Sequence, residues 1–149
     1  MLQKIIKSSP GYDRTVLRLT LGIVLLAHGS QKMLGLFGGY GFVGTLNAFS
    51  QYMHIAAPVT VMVIFIEFFG SLMLISGLFT RIAALGVLGL FTGILFITAP
   101  HSGFFMNWEG IAKPEGFEYE ILVLGMALTL LIGGGGSFAM ENKFAINNN

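Results

Sequence analysis

IAALGVLGLFTGILFITA, residues 82–99, holds no charged side chain in eighteen positions and meets proline only past its end. As an α-helix it rises about 27 Å, close to the ~30 Å hydrocarbon thickness of a bilayer. Three further apolar stretches accompany it. Residues 15–36 are interrupted by Arg18, His28, Gln31 and Lys32; residues 58–79 carry Glu67 near the middle; residues 118–138 finish in the glycines at 133–136. The expected architecture is all-α: one integral-membrane domain over residues 1–149, built as a four-helix transmembrane bundle. Eight Lys or Arg and seven Asp or Glu in 149 residues, against 54% hydrophobic residues, are too few charges to clothe a water-facing surface, where about a quarter is usual. A net charge of +1 without a basic run excludes nucleic acid as a partner. With no cysteine, thiolate catalysis, Cys-ligated zinc and iron–sulfur clusters fall away. No cluster of metal ligands and no internal repeat is evident. The N-terminal apolar stretch starts late and lacks a small-residue cleavage site, which suits a span better than a secretory signal.

Charge placement predicts orientation. With four spans both termini share a side. Putting that side in the cytoplasm leaves Lys4, Lys7, Arg14, Arg18, Arg81 and Lys143 inside, and Lys32 and Lys113 outside. That is the positive-inside bias of an inner-membrane, multi-pass protein. Glu109, Glu115, Glu118 and Glu120 gather in or beside the outer loop before the last span. A tight inner turn around Thr80 and Arg81 joins the second and third spans. Outside, residues 38–57 carry no formal charge, and Phe42, Leu46, Phe49 and Met53 recur at helical spacing. They predict a short helix lying in the interface. The loop at 100–118, with Phe104, Phe105, Trp108 and Phe117, reads as an aromatic belt, so both outer loops lid the outer end.

Helices in lipid associate through close packing and hydrogen bonds rather than hydrophobic burial. Glycine fills 21 positions. Ala83, Gly86, Gly89 and Gly93 form a small-residue stripe on the third span, and Gly125, Thr129 and Gly133 form one on the fourth. They mark faces for helix packing or for a homo-oligomer.

A charge at mid-membrane costs about 2.5–3.5 kcal/mol, so Glu67 needs a partner or a neutral form. It shares a helix face with Gly70 and Ser71, which points it inward. His28, Gln31 and Lys32 sit at i, i+3 and i+4 on one face of the first span, at compatible depth. Glu118 and Glu120 point about 200° apart. Glu118 aligns with Leu122, Gly125 and Thr129 and is the expected inward carboxylate, with Glu120 at the rim or in contact with a second helix. The candidate polar pocket is His28, Gln31, Lys32, Glu67 and Glu118, rimmed by Glu120, His101, Asn107 and Trp108. Two readings of it stay open: a functional site, or a clamp that neutralises buried charge. Arg18 and Arg81 read as topology anchors that snorkel to the inner surface. His54 and His101 read as loop residues rather than haem ligands.

The motifs AHGSQKMLG (27–35), EFFGSLMLISGLFTR (67–81) and GFEYEILVLG…GGGGSFAM (116–140) resemble the DoxX family. The similarity extends from about Arg14 to Met140, although the four glycines stand where relatives commonly have a proline. The resemblance implies a four-helix bacterial inner-membrane protein. Some relatives are membrane subunits linked to quinones, including thiosulfate:quinone oxidoreductase, or to oxidative-stress complexes; a distant one is a eukaryotic receptor-assembly chaperone. Family membership therefore transfers fold better than chemistry. Three functions follow. One is an accessory subunit of a quinone-linked oxidoreductase, with quinone as the implied cofactor and a redox protein as partner. The second is a membrane-protein assembly factor whose polar cluster is structural. The third is a protein handling small solutes or lipid. No redox centre of the chain's own is evident, so its being an enzyme by itself stays open.

Overall fold

The computed structural model describes residues 11–108, 110 and 115–146, with helix, turn and loop but no strand among them. The helices are α1 (Tyr12–Leu34), α2 (Gly41–Met53), α3 (Ala57–Ser76), α4 (Thr80–Thr98), α5 (Glu118–Gly133) and α6 (Glu141–Ile146). Lys4, Lys7, Glu109 and Lys113, which the orientation argument counts, lie outside the described residues. The chain is an all-helical membrane protein. α3 and α4 are each long and apolar enough to cross a bilayer, and α1 with the segment Leu36–Met53, bent at 92°, makes a third if the pair is one span. α1 is long enough alone, but Asp13, Arg14, Arg18 and Lys32 dilute its apolarity. α5, at 16 residues, rises only about 24 Å.

α1 explains the packing. Its positions Thr15, Arg18, Gly22, Leu25, Gly29 and Lys32 alternate by three and four residues, a heptad seam that keeps one stripe facing a neighbour. All but Lys32 are buried. The two glycines let α3 approach: a Cβ at Gly22 would stand 2.8 Å from Ile75 Cγ1, and one at Gly29 would stand 2.7 Å from the Phe68 nitrogen. α1 packs on α3, α3 on α4, α4 on α5 and α5 back on α1. Leu21, Leu25, Leu74, Val87, Val123 and Leu130 fill the centre.

α3 is not a uniform α-helix. Residues Ile66–Gly70 widen into a π turn, a feature that accommodates one extra residue and recurs at functional sites. The Ser71 hydroxyl donates to the Phe68 carbonyl at 2.6 Å, occupying an acceptor in the loosened turn. α3 ends at Gly77, whose φ of 69° is left-handed. There the Gly77 N–H reaches Leu74 O and the Leu78 N–H reaches Met73 O, a Schellman stop. The reversal lies at residues 77–79, one turn earlier than expected, and Thr80 already begins α4.

The small-residue stripes divide. Ala83 is buried and Gly86 faces Ile66, but Gly89, Gly93 and Gly125 have nothing within 4 Å. The buried seams explain why. α4 buries Ala83, Ala84, Val87, Leu90 and Phe91, and α5 buries Val123, Ala127 and Leu130. Gly89 stands two residues, about 200°, from Val87, and Gly125 the same from Val123 or Ala127. Among the described residues a side chain at these glycines would meet no neighbour. The glycine run at 133–136 begins where α5 stops, at Gly133, and passes Arg14, Thr80 and Glu141 where side chains would collide.

Candidate functional site: a buried ion pair beneath a short helix

Lys32 Nζ donates to Glu67 Oε2 at 2.5 Å. The π turn and Gly29 produce this contact: the turn leaves Glu67 5% exposed on the α1 side, and Gly29, one turn before Lys32, removes the side chain that would hold α1 away. The Glu67 side chain is 6% exposed and that of Lys32 is 22%, so the carboxylate is sealed while the ammonium reaches a surface. That surface is a cleft of 370 Å³ under α2, lined among others by Gln31, Lys32, Tyr40, Thr45, Phe49 and Tyr52. Left-handed residues Gly35, Phe37, Gly38 and Gly41 fold the chain from α1 into α2, and His54 does so on leaving it. The Thr45 hydroxyl donates to the Lys32 carbonyl at 3.3 Å and ties α2 down over the pair.

The other expected members of the pocket lie elsewhere. Gln31 lines the cleft, but its Nε2 donates to Phe37 O at 3.3 Å and braces the turn. His28 is exposed, with its ring 6.4 Å from that of Tyr119. Glu118 is not an inward carboxylate. Its Oε1 accepts the Met106 N–H at 2.9 Å and the Trp108 Nε1–H at 3.0 Å, so it organises the loop before α5. The stripe used to aim it inward, with Leu122 66% exposed, faces away from the core. In the same loop the Asn107 N–H donates to Glu115 Oε2 at 2.8 Å, Trp108 is exposed, and Phe104 packs against Phe117. His101 is exposed at the end of a short turn. Glu120 is half-buried, and its Oε2 is buried without a hydrogen-bond partner among the described residues, as is the hydroxyl of Tyr119. Tyr119 lies in the electrostatic reach of both Glu67 and Glu120 and packs on Phe91. α5 therefore carries a buried carboxylate oxygen and a phenol, the Tyr119 phenol being the one within electrostatic reach of Glu67. The buried seam through Val123, extrapolated back one turn, is the signal that could have found them.

Arg18 corrects the snorkelling reading outright. It is 2% exposed and turned inward. Its Nη1 donates to Leu74 O and Ile75 O, both at 2.6 Å, its Nε to Gly135 O at 3.1 Å, and its Nη2 to Phe138 O at 3.4 Å. Those acceptors are carbonyls at the end of α3 and in the loop after α5, where a cation also meets the negative helix terminus. Beside it sits Glu141, 2% exposed and unmarked in the sequence reading. It accepts the Thr80 N–H at 3.0 Å and the Gly135 N–H at 3.3 Å, capping the start of α4. Arg81 donates to Ile132 O at 3.1 Å at the end of α5. One end of the molecule is thus locked by Arg18 and Glu141, while the other holds Lys32 and Glu67 beneath α2.

An all-helical membrane protein with a charge pair at the turn of its first span and a π turn in the next is the class this geometry defines. The chain belongs to the DoxX family, whose sequence model matches residues 14–100; α5 lies beyond the match. A protein of Haemophilus influenzae (strain ATCC 51907 / DSM 11121 / KW20 / Rd), described only as uncharacterized, is 29% identical over 142 residues, covering 89% of this chain and 91% of that one. No solved structure matches it.

Proposed function

We propose that this DoxX-family protein is an accessory membrane subunit of a quinone-linked oxidoreductase or oxidative-stress system, seated in the bacterial inner membrane as four spans with both termini inside. The observation that carries this reading is Lys32: its ammonium, held on one side by Glu67, opens into a cleft with the aromatic walls Tyr40, Phe49 and Tyr52. A cleft of 370 Å³ falls within the usual size of a small-molecule site, and an ammonium beside aromatic rings offers a carbonyl-bearing ring both a donor and a stacking surface. The catalytic partner supplies the electron carrier. This chain binds and orients the head group, with Lys32 as donor and Glu67 behind it as the group that exchanges protons with it. The test is quinone binding to the purified protein across benzoquinone and naphthoquinone types. Binding that Lys32→Ala or Glu67→Gln weakens supports the reading, and no binding to any type ends it.

A second reading is an assembly or interaction factor, with the ion pair as a clamp. It is favoured by Gly89, Gly93 and Gly125, where an added Cβ would meet nothing within 4 Å among the described residues. A partner or second copy that co-purifies and stays bound when Lys32 and Glu67 are neutralised together would favour this reading over the first.

A further inference from the structure

We infer that Glu67 sets the ligand class of the cleft: acting through Lys32, it makes the site accept neutral carbonyl head groups and reject anionic ones. The inference rests on the ligand-binding reading above and deepens it. Among the described residues Lys32 is the one charged residue lining the cleft, and Glu67 does not line it. An ammonium has three N–H donors. Glu67 takes one, and the Lys32 Nζ has no other hydrogen-bond partner among the described residues. Two donors are therefore left for an occupant.

The charge behind those donors decides what they hold. Without Glu67 the cleft would be a lone cation at an interface, where a phosphate-bearing lipid head is the natural counterion. With Glu67 buried behind the ammonium, the pair is neutral overall. An incoming anion meets the Lys32 attraction and, one ammonium-width further, the Glu67 repulsion. In a low-dielectric setting both terms are large and largely cancel. The anion then loses its hydration for little return. A neutral carbonyl has much less hydration to lose, and it takes the same two donors as a dipole. The aromatic walls Tyr40, Phe49 and Tyr52 add a flat apolar surface that suits a ring better than a glycerophosphate head.

The test presents the purified full-length protein with an equimolar mixture of a decyl-substituted benzoquinone and phosphatidylglycerol and reads the retained ratio by native mass spectrometry. Wild type retains the quinone. Glu67→Gln shifts the ratio toward phosphatidylglycerol by about tenfold or more, the scale of one charge-assisted hydrogen bond. Glu67→Asp, which keeps the charge, retains the wild-type preference. Lys32→Gln leaves the carboxylate alone, so it holds less phosphatidylglycerol than wild type and loses the quinone; this variant carries the test if Glu67→Gln does not fold. The double variant Lys32→Gln/Glu67→Gln prefers neither. An unchanged ratio in Glu67→Gln, or undiminished phosphatidylglycerol on Lys32→Gln, overturns the role of Glu67 while leaving a quinone-binding cleft intact. No quinone on wild type together with a gain of phosphatidylglycerol in Glu67→Gln sinks the quinone reading and leaves the electrostatic one.

Discussion

Gly29 and Phe68 meet backbone to backbone: a Cβ on Gly29 would stand 2.7 Å from the Phe68 amide nitrogen. The contact falls at the π turn of α3, beside Glu67 and one helical turn before Lys32, so a single hydrogen atom for a side chain sets the spacing across which the ion pair forms.

Gly29→Ala should therefore destabilise the protein by about 1–3 kcal/mol, the usual cost of forcing atoms into a packed contact. Gly89→Ala, with nothing within 4 Å, should be neutral or gain up to about 1 kcal/mol from helix propensity. Thermal unfolding in detergent, followed by circular dichroism, separates them, and equal effects at both positions would contradict the packing described.

Neutralising one partner of the Lys32–Glu67 pair should cost more than neutralising both. A buried charge left alone is penalised by about 3 kcal/mol, whereas Lys32→Met with Glu67→Leu leaves no unpaired charge. A double-mutant cycle in unfolding free energy should give a coupling above about 1 kcal/mol. Additive losses would mean the two side chains do not depend on each other.

Arg18→Lys should not behave as a conservative change. A guanidinium can serve Leu74, Ile75, Gly135 and Phe138 carbonyls together, and a single ammonium lacks that planar fork. The expected result is faster amide exchange at Met140 and Glu141, whose N–H groups bond to Ser76 O and Gly77 O, with α2 unaffected. Unchanged protection there would remove Arg18 from its role as the lock.

Glu118→Ala should release Trp108 without unfolding the molecule. Trp108 is the single tryptophan and is 84% exposed, so its fluorescence anisotropy reports this loop alone. A clear fall in anisotropy with a stability loss below about 1 kcal/mol is expected for an exposed bond. A large stability loss would instead place Glu118 in the core.

Tyr119→Phe should leave stability unchanged or raise it by about 1 kcal/mol, since the hydroxyl removed is buried without a partner among the described residues. A loss of more than about 1 kcal/mol would reveal a bond that the hydroxyl makes in the membrane.

The all-helical membrane class is legible in residues 82–99 because apolar length is a local property: a bilayer imposes it on each helix separately. Phe42, Leu46, Phe49 and Met53 predict α2 for a related reason, since their spacing is written within the one helix. Lys32 and Glu67 are also visible in advance, as charges that apolar spans cannot leave unpaired. The rest required the fold. Whether a small-residue stripe faces a neighbour or lies bare depends on the rotation of α4 and α5 about their axes. Periodicity leaves that angle undetermined, so Glu118 reads as the inward carboxylate and Tyr119 goes unmarked. Arg18 at a helix end reads as a snorkelling side chain until Leu74, Ile75, Gly135 and Phe138 bring their carbonyls to it from 56 or more residues away. Sequence alone determined which residues are costly to bury; only the tertiary structure decided what each of them is buried against.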